Sequence, residues 1–180
     1  MNIGIISDTH GDILQLKKAL NILSNCEKII HCGDVLYHGP RNDLPKNYNP
    51  KDMAKLLSNK TNISYIRGNC DADVDQMVLG KDLTKKEKLF IFNTIKVYAI
   101  HGYEETEEER IDRATKLGAK FLVSGHSHIK VLKRVKELIV INPGSTSIPK
   151  DEIASIARIT DKKVELIDID RNKIISTITL

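Results

Sequence analysis

The sequence predicts an α/β fold in which two β-sheets stack as a sandwich with helices on the outside. Up to residue 67, strand-like apolar runs alternate with amphipathic helical stretches in the order β-α-β-α-β, which implies parallel strands joined by crossovers. From Lys88 onward, short strands follow one another through tight connections with one helix among them, a mostly antiparallel pattern. Five polar islands each stand just after an apolar run, as expected where ligands bind beyond the carboxyl ends of α/β strands.

Asn2 to Ser7 reads as a buried strand. Asp12 then offers an N-cap with Gln15 three positions on, and Ile13, Leu16, Leu20 and Leu23 fall on one face of the helix it opens. Lys28 to Cys32 is a second strand, ending at Gly33-Asp34. A polar loop containing Pro and Gly runs from Tyr37 to Pro50, and Asn49-Pro50 starts a helix with Met53, Leu56 and Leu57 inward. Ile63 to Arg67 is the third strand. Lys88 to Phe92 and Ile95 to His101 form a hairpin around Asn93-Thr94. Thr106 and Glu109 make a capping box, and Glu107, Glu108 and Glu109 occupy the first turn, where the helix dipole favours acids. Ile111, Ala114 and Leu117 give that helix its face, and Gly118 ends it. Strands follow over Phe121 to Ser124, Lys130 to Val135, Leu138 to Asn142, Ser155 to Thr160, Val164 to Asp170 and Ile174 to Thr179. With no repeat, low-complexity tract or linker, residues 1–180 are expected to form one domain.

Composition excludes several classes. At 41% hydrophobic residues the chain is no disordered polypeptide, and 180 residues can enclose a full core. No apolar stretch approaches a membrane span. Met1 leads straight into a strand and the first candidate ligand is at position 8, so no signal peptide is expected. The three cysteines, Cys26, Cys32 and Cys70, form no CxxC pair, which argues against a disulfide framework or zinc ribbon and for a cytoplasmic protein. The net charge of +4 is mild and its basic residues are scattered. With no tryptophan and 4% aromatics, a base-stacking surface is poorly supplied, so nucleic acid is not the expected main partner. The apolar C-terminal strand, Ile174 to Leu180, offers an edge for pairing with another chain, which leaves a homo-oligomer open.

The islands are Asp8-Thr9-His10, Gly33-Asp34, Gly68-Asn69-Cys70-Asp71, His101-Gly102 and Gly125-His126-Ser127-His128. Each alone has a plain reading: Asp8 as a helix cap, Gly33-Asp34 and Gly68-Asn69 as turns, His101 as a structural histidine. Together they supply two carboxylates, four imidazoles and an amide without thiolate, enough to hold two divalent cations. Mn²⁺, Fe²⁺, Zn²⁺ and Ni²⁺ suit such donors better than Ca²⁺. Two such ions about 3.5–4 Å apart can activate a bridging water and clamp a phosphoryl group for in-line displacement. Asp34 is the natural bridge, Asn69 and His10 are placed to stabilise the equatorial oxygens, and the alternative reading of His10 is a ligand alone. His31, within a strand, reads as a hydrogen-bonded structural residue.

The order D-x-H, G-D, G-N-x-D, H-G, G-H-x-H resembles the calcineurin-like metallophosphoesterase superfamily. Gly33-Asp34-Val35-Leu36, His38-Gly39-Pro40-Arg41-Asn42, Arg67-Gly68-Asn69-Cys70-Asp71, Val74-Asp75-Gln76-Met77 and Asn142-Pro143-Gly144-Ser145 narrow the resemblance to small bacterial phosphodiesterases of the YfcE type. The resemblance implies the αββα metallophosphoesterase fold and a metal-dependent phosphodiesterase acting on a small phosphodiester. It implies one cation held by Asp8, His10, Asp34 and His128, and a second by Asp34, Asn69, His101 and His126, commonly Mn²⁺. Many superfamily members carry histidine where this chain has Cys70, and a thiol is a poor general acid. Preference for diesters with good leaving groups is therefore expected. His38, Arg41 and Cys70 are the candidate substrate contacts, and the Asn142-Pro143-Gly144-Ser145 turn is given no chemistry. Two other readings stand beside the enzyme. One is a non-catalytic interaction scaffold of the same fold, like the retromer subunit Vps29, which has no need of all seven ligands. The other is a nuclease on polymeric substrates, for which a concentrated basic surface is lacking.

Overall fold

Side-chain alternation along the strands sets the layers of the computed structural model, which describes residues 1–180. The chain runs β1 (Asn2–Ile6), α1 (Ile13–Ile22), β2 (Lys28–His31), α2 (Pro50–Ser58), β3 (Ile63–Tyr65), α3 (Asp73–Leu79), β4 (Glu87–Phe92), β5 (Ile95–Ile100), α4 (Glu107–Lys116), β6 (Phe121–Val123), β7 (Lys130–Val135), β8 (Leu138–Pro143), β9 (Ser155–Thr160), β10 (Lys163–Asp168) and β11 (Lys173–Thr179). Successive strand residues face opposite sides of a sheet. Ile3 and Ile5 of β1 therefore meet Phe121 and Val123 of β6 and Ile139 and Ile141 of β8 in a core between the sheets. Ile6 faces the other way, into a core with Leu16 and Ala19 of α1 and Met53 and Leu57 of α2. On the far side, Leu122, Leu138 and Val140 pack with Ala114 of α4. Each fully buried aliphatic side chain contributes about 1.5–3 kcal/mol of transfer free energy, so strands apolar on both faces hold the four layers together.

The expected two-sheet sandwich with outer helices is the architecture found. One sheet has the order β11-β10-β9-β1-β2-β3, the other β4-β5-β6-β8-β7. The β1, β2 and β3 strands are parallel, as their crossovers require. The second half is less antiparallel than its short connections suggested. The β6 strand runs parallel to both β5 and β8, because α4 carries the chain over between β5 and β6 and β7 folds to the outside of β8. This parallel run matters, since it directs the ends of β5 and β6 to the same rim as those of β1, β2 and β3.

Helix starts follow the capping residues. Asp12 accepts from the backbone N of Leu14 and Gln15 at 3.1 and 3.0 Å, but the Gln15 amide turns to Asp170 and does not complete a capping box. Asn49 caps α2 ahead of Pro50, and the Thr106–Glu109 box forms at α4. Ala114 of α4 is buried, while Leu117, its C-cap, stays exposed. The β11 strand lies at the outer edge of its sheet with Ile174 and Ile175 exposed. No helix is long and apolar enough to cross a membrane.

Candidate metal centre

The loops after β1, β2 and β3 are laced together through the backbone. Asp8, His10 and Gly11 donate their N–H groups to the carbonyls of Gly33, Asp34 and Val35 at 3.0, 3.1 and 3.0 Å. The buried Asp71 carboxylate accepts from Asp34 N, Val35 N and Gly68 N at 2.9, 2.8 and 2.7 Å. These loops approach so closely that a Cβ at Gly33 would stand 2.6 Å from Gly68 N, and one at Gly68 would overlap Asp34 Oδ1. From the second sheet, Asn142 Nδ2 donates to Gly125 O at 2.8 Å and to Ser127 Oγ at 3.0 Å, and Ser145 Oγ donates to Asp8 O at 2.6 Å. His126 N then donates to Asp8 Oδ2 at 3.0 Å, joining the two sheets at their rim.

Five of the candidate ligands pay a conformational penalty to be there. Asp8, His10, Asp34, His126 and His128 have φ of 53°, 41°, 58°, 66° and 58°. Non-glycine residues in this region are strained by roughly 1–3 kcal/mol each and persist where the surroundings over-determine them. A plain turn would favour Gly or Asn at such positions, so the side chains themselves account for the choice.

Their orientation is equally specific. His10 Nδ1 lies 2.7 Å from Tyr37 O, His101 Nδ1 2.6 Å from Cys32 O, and His128 Nδ1 2.9 Å from Ile148 O. A carbonyl only accepts, so each Nδ1 carries a proton and each ring turns its Nε2 inward, the outer hydrogen bonding typical of metal-ligating histidine. The Nε2 atoms of His10 and His128 face each other at 3.2 Å. His101 Nε2 is 3.4 Å from Asp34 Oδ2 and 3.2 Å from Asn69 Oδ1, and His126 Nδ1 is 2.8 Å from Asn69 Oδ1. Asp8, His10 and His128 form one close group of donors, and Asp34, His101 and His126 another. Asp34 Oδ2 stands 3.8 Å from His10 Nε2 as well, between the two groups.

The electrostatics call for positive charge. Asp8 and Asp34 are buried, and histidines are the only basic side chains within salt-bridge distance of either. Asp8 Oδ1, 3.2 Å from His128 Nε2, has no hydrogen-bond partner. Burial opposes the charge on Asp34, yet His101 and the Cys70 N–H outweigh it and hold the carboxyl well below its usual range. Burial likewise opposes the charge on His101, but pairing with Asp34 and the Asp8 charge lift it to about 9. Burial lowers His10 and His126, keeping their lone pairs free. An orphaned carboxylate oxygen, two facing lone pairs and paired buried anions fit divalent cations coordinated by oxygen and nitrogen.

All seven predicted ligands thus meet at one rim, beside a cleft of about 750 Å³ lined by Arg41, Cys70 and Lys150 among others. His38 does not line it: its ring lies edge-on to Tyr37 and Tyr48, with centroids 4.7 and 5.3 Å away. Burial pushes the Cys70 thiol up to about 12. His31 is structural, accepting from Gly33 N at 3.2 Å through Nδ1 and lying 3.0 Å from Thr9 Oγ1 through Nε2. The reading from sequence missed Asp71 as the clasp between loops, although it stands inside a quoted motif. It also gave Asn142 and Ser145 no role beyond a turn, and it missed Lys150, for which no local signal exists.

Fold and site together define a phosphoesterase of the two-sheet metal-dependent class. Residues 1–163 match the calcineurin-like phosphoesterase superfamily domain, and the chain belongs to that family. It is 30% identical to the phosphodiesterase YfcE of Escherichia coli, over all of this chain and 98% of that protein. The solved structure of that E. coli phosphoesterase superposes with a TM-score of 0.88, covering 99% of this chain and 98% of the other. A phosphodiesterase of Methanocaldococcus jannaschii is 29% identical over 80% of this chain and 83% of its own length. A zinc-complexed Vps29 from Entamoeba histolytica, 15% identical with a TM-score of 0.69 and covering 100% of this chain and 98% of the other, shares the fold.

Proposed function

We propose that residues 1–180 act as one metallophosphoesterase domain that hydrolyses small phosphodiesters with two divalent cations. Asp8, His10, Asp34 and His128 would hold one, and Asp34, Asn69, His101 and His126 the other, with Mn²⁺ the ion proposed and Fe²⁺, Zn²⁺ and Ni²⁺ suited to the same donors. Bound there, the cations supply Lewis acidity, which lowers the pKa of water and neutralises charge on phosphoryl oxygens. The observation that carries the reading is the convergence of three left-handed histidines, His10, His126 and His128, on two buried and likewise left-handed carboxylates, Asp8 and Asp34, that lack Lys or Arg partners.

The chain's own residues hold and aim the rest. Carbonyls of Tyr37, Cys32 and Ile148 keep three imidazoles in one tautomer, so no reorganisation is needed as charge develops. Arg41 and Lys150 bring positive charge to the cleft wall, where the phosphate of a diester would sit. No side chain of the cleft is an activated nucleophile, so the oxygen that bonds to phosphorus would come from water, which gives up its proton to solvent while the opposite P–O bond breaks and one ester arm leaves. Cys70, held as a thiol, neither attacks nor protonates an alkoxide readily, so diesters with good leaving groups are favoured.

The test is hydrolysis of an aryl phosphodiester and the matching monoester by chelator-stripped protein, with Mn²⁺ and other metals restored. Metal-dependent diester cleavage with weak monoester cleavage is expected. Bound metal without cleavage of any diester would move the protein to the scaffold reading.

A further inference from the structure

Beside the polar cleft lies a second cavity of different chemistry. It measures about 730 Å³ and runs between α2 and α3. Leu36, Tyr48, Ala54, Val74 and Val78 wall it, with Lys51 and Lys55 among its few polar lining residues. Tyr37, Cys70 and Ala72 line both cavities, so the two adjoin at the side chain of Cys70. Val74 and Val78 remain 57% and 52% exposed and Tyr37 42%, an apolar surface gathered at the mouth of the candidate metal centre. Asp75, the acidic group lining this groove, is occupied in capping α3: it accepts from Ala72 N at 2.8 Å.

A phosphodiester has two arms around one anionic phosphate. If the phosphate occupies the polar cleft, one arm leaves and the other must lie along an adjoining wall. The wall offered here is mostly aliphatic and aromatic; its polar groups are the flexible Lys51 and Lys55, Ser58, the tyrosine hydroxyls and Asp75, which is engaged at Ala72 N, so no fixed donor–acceptor pair is presented to the edge of a base. We infer that the natural substrate is a phosphodiester with one apolar alkyl or aryl arm, and that the α2–α3 groove holds this arm. The inference rests on the phosphodiesterase reading for the position of the phosphate. A monoester, or a diester with a methyl arm, would leave the groove empty.

The experiment uses the Mn²⁺-loaded protein and 4-nitrophenyl phosphodiesters whose second arm is methyl, butyl, hexyl, phenyl or uridine. In parallel, calorimetry measures binding of the methyl and hexyl monoesters of a non-hydrolysable phosphonate. The kcat/KM is expected to climb with apolar arm length, by up to about fourfold for each methylene buried, with the uridine arm well below hexyl. The hexyl phosphonate should bind correspondingly tighter than the methyl one. In Val74→Asp and Val78→Asp, both on the exposed face of α3, the hexyl-to-methyl ratio should collapse toward one in turnover and in binding. Turnover that is flat with arm length, or a preference for the uridine arm, would overturn the inference while leaving the phosphodiesterase reading intact. Absent turnover with hexyl-selective binding would instead retain the groove and remove the phosphodiesterase reading. A groove closed by a second copy of the chain, seen as a dimer that Val78→Asp dissociates without change in arm preference, would also overturn it.

Discussion

Replacing Asp34 by asparagine tests the centre at the one carboxylate that both donor groups share. Asp34 Oδ1 accepts from Cys70 N at 2.8 Å, so asparagine must keep its oxygen there. Its NH₂ then takes the place of Oδ2, the atom 3.4 Å from His101 Nε2 and 3.8 Å from His10 Nε2. A donor without a lone pair replaces an anion at the point where the two groups meet. Loss of an outer partner to a metal ligand typically costs 10–100-fold in affinity or activity, so loss of a shared ligand should cost at least about 100-fold, or about 2.7 kcal/mol. The variant should fold, because it keeps the volume and His101, without its anionic partner, can give up its proton instead of remaining an uncompensated buried charge. A second readout follows from His101. In the metal-free protein at pH 7.5 this ring, lifted to about 9, carries a proton that a cation must displace. Calorimetry in buffers of different ionisation enthalpy should show about one proton released from His101 by the wild type and much less by Asp34→Asn. Wild-type Mn²⁺ affinity, turnover and proton release in a folded Asp34→Asn protein would refute Asp34 as the shared ligand.

Other consequences follow from the same loops. Gly68→Ala places a methyl against Asp34 Oδ1 and 2.5 Å from Asp34 N, so it should lower stability by about 1–3 kcal/mol and metal affinity with it, measured by thermal melts with and without Mn²⁺. His31 is buried, with its pKa lowered by burial to about 3. Below pH 6.5 the unfolded chain therefore binds a proton that the folded one refuses, so this contribution to stability is present above pH 6.5 and falls with pH, by roughly 3 kcal/mol at pH 4. Urea titrations of metal-free protein should show that slope in the wild type and a shallower one in His31→Gln; equal slopes would contradict the assignment. Cys70→Ala should retain aryl diester cleavage within about threefold, since a thiol raised to about 12 supplies neither nucleophile nor acid, and complete loss would give Cys70 a chemical role.

How much of this was legible in advance depended on how local the signal was. The capping residues of α1, α2 and α4 and the Asn93-Thr94 hairpin rest on contacts within a few residues, and each appears where the pattern placed it. The α3 helix escaped notice because Val74, Met77 and Val78 point outward, so its apolar residues mark no buried face. The parallel pairing of β6 escaped for another reason. Short connections suggest antiparallel neighbours, and only the packing of α4 on Leu122 and Val140 shows that the chain crosses over. Asp71 looked like part of a turn, and its three backbone partners belong to two loops that meet only in space.

By itself the sequence determined the order of the seven donors and their positions just past strand ends, because apolar runs and the residues that stop them act over a few neighbours. It also determined the donor chemistry, which is a property of residue type. Tertiary structure alone decided that Asp34 stands between two donor groups, that three imidazoles turn Nε2 inward, and that five of these residues are held with positive φ. It alone placed an apolar groove beside the polar cleft. Those features arise from backbone carbonyls, carboxylates and helices brought together across long stretches of chain, and no local preference encodes which distant atom will stand 3 Å away.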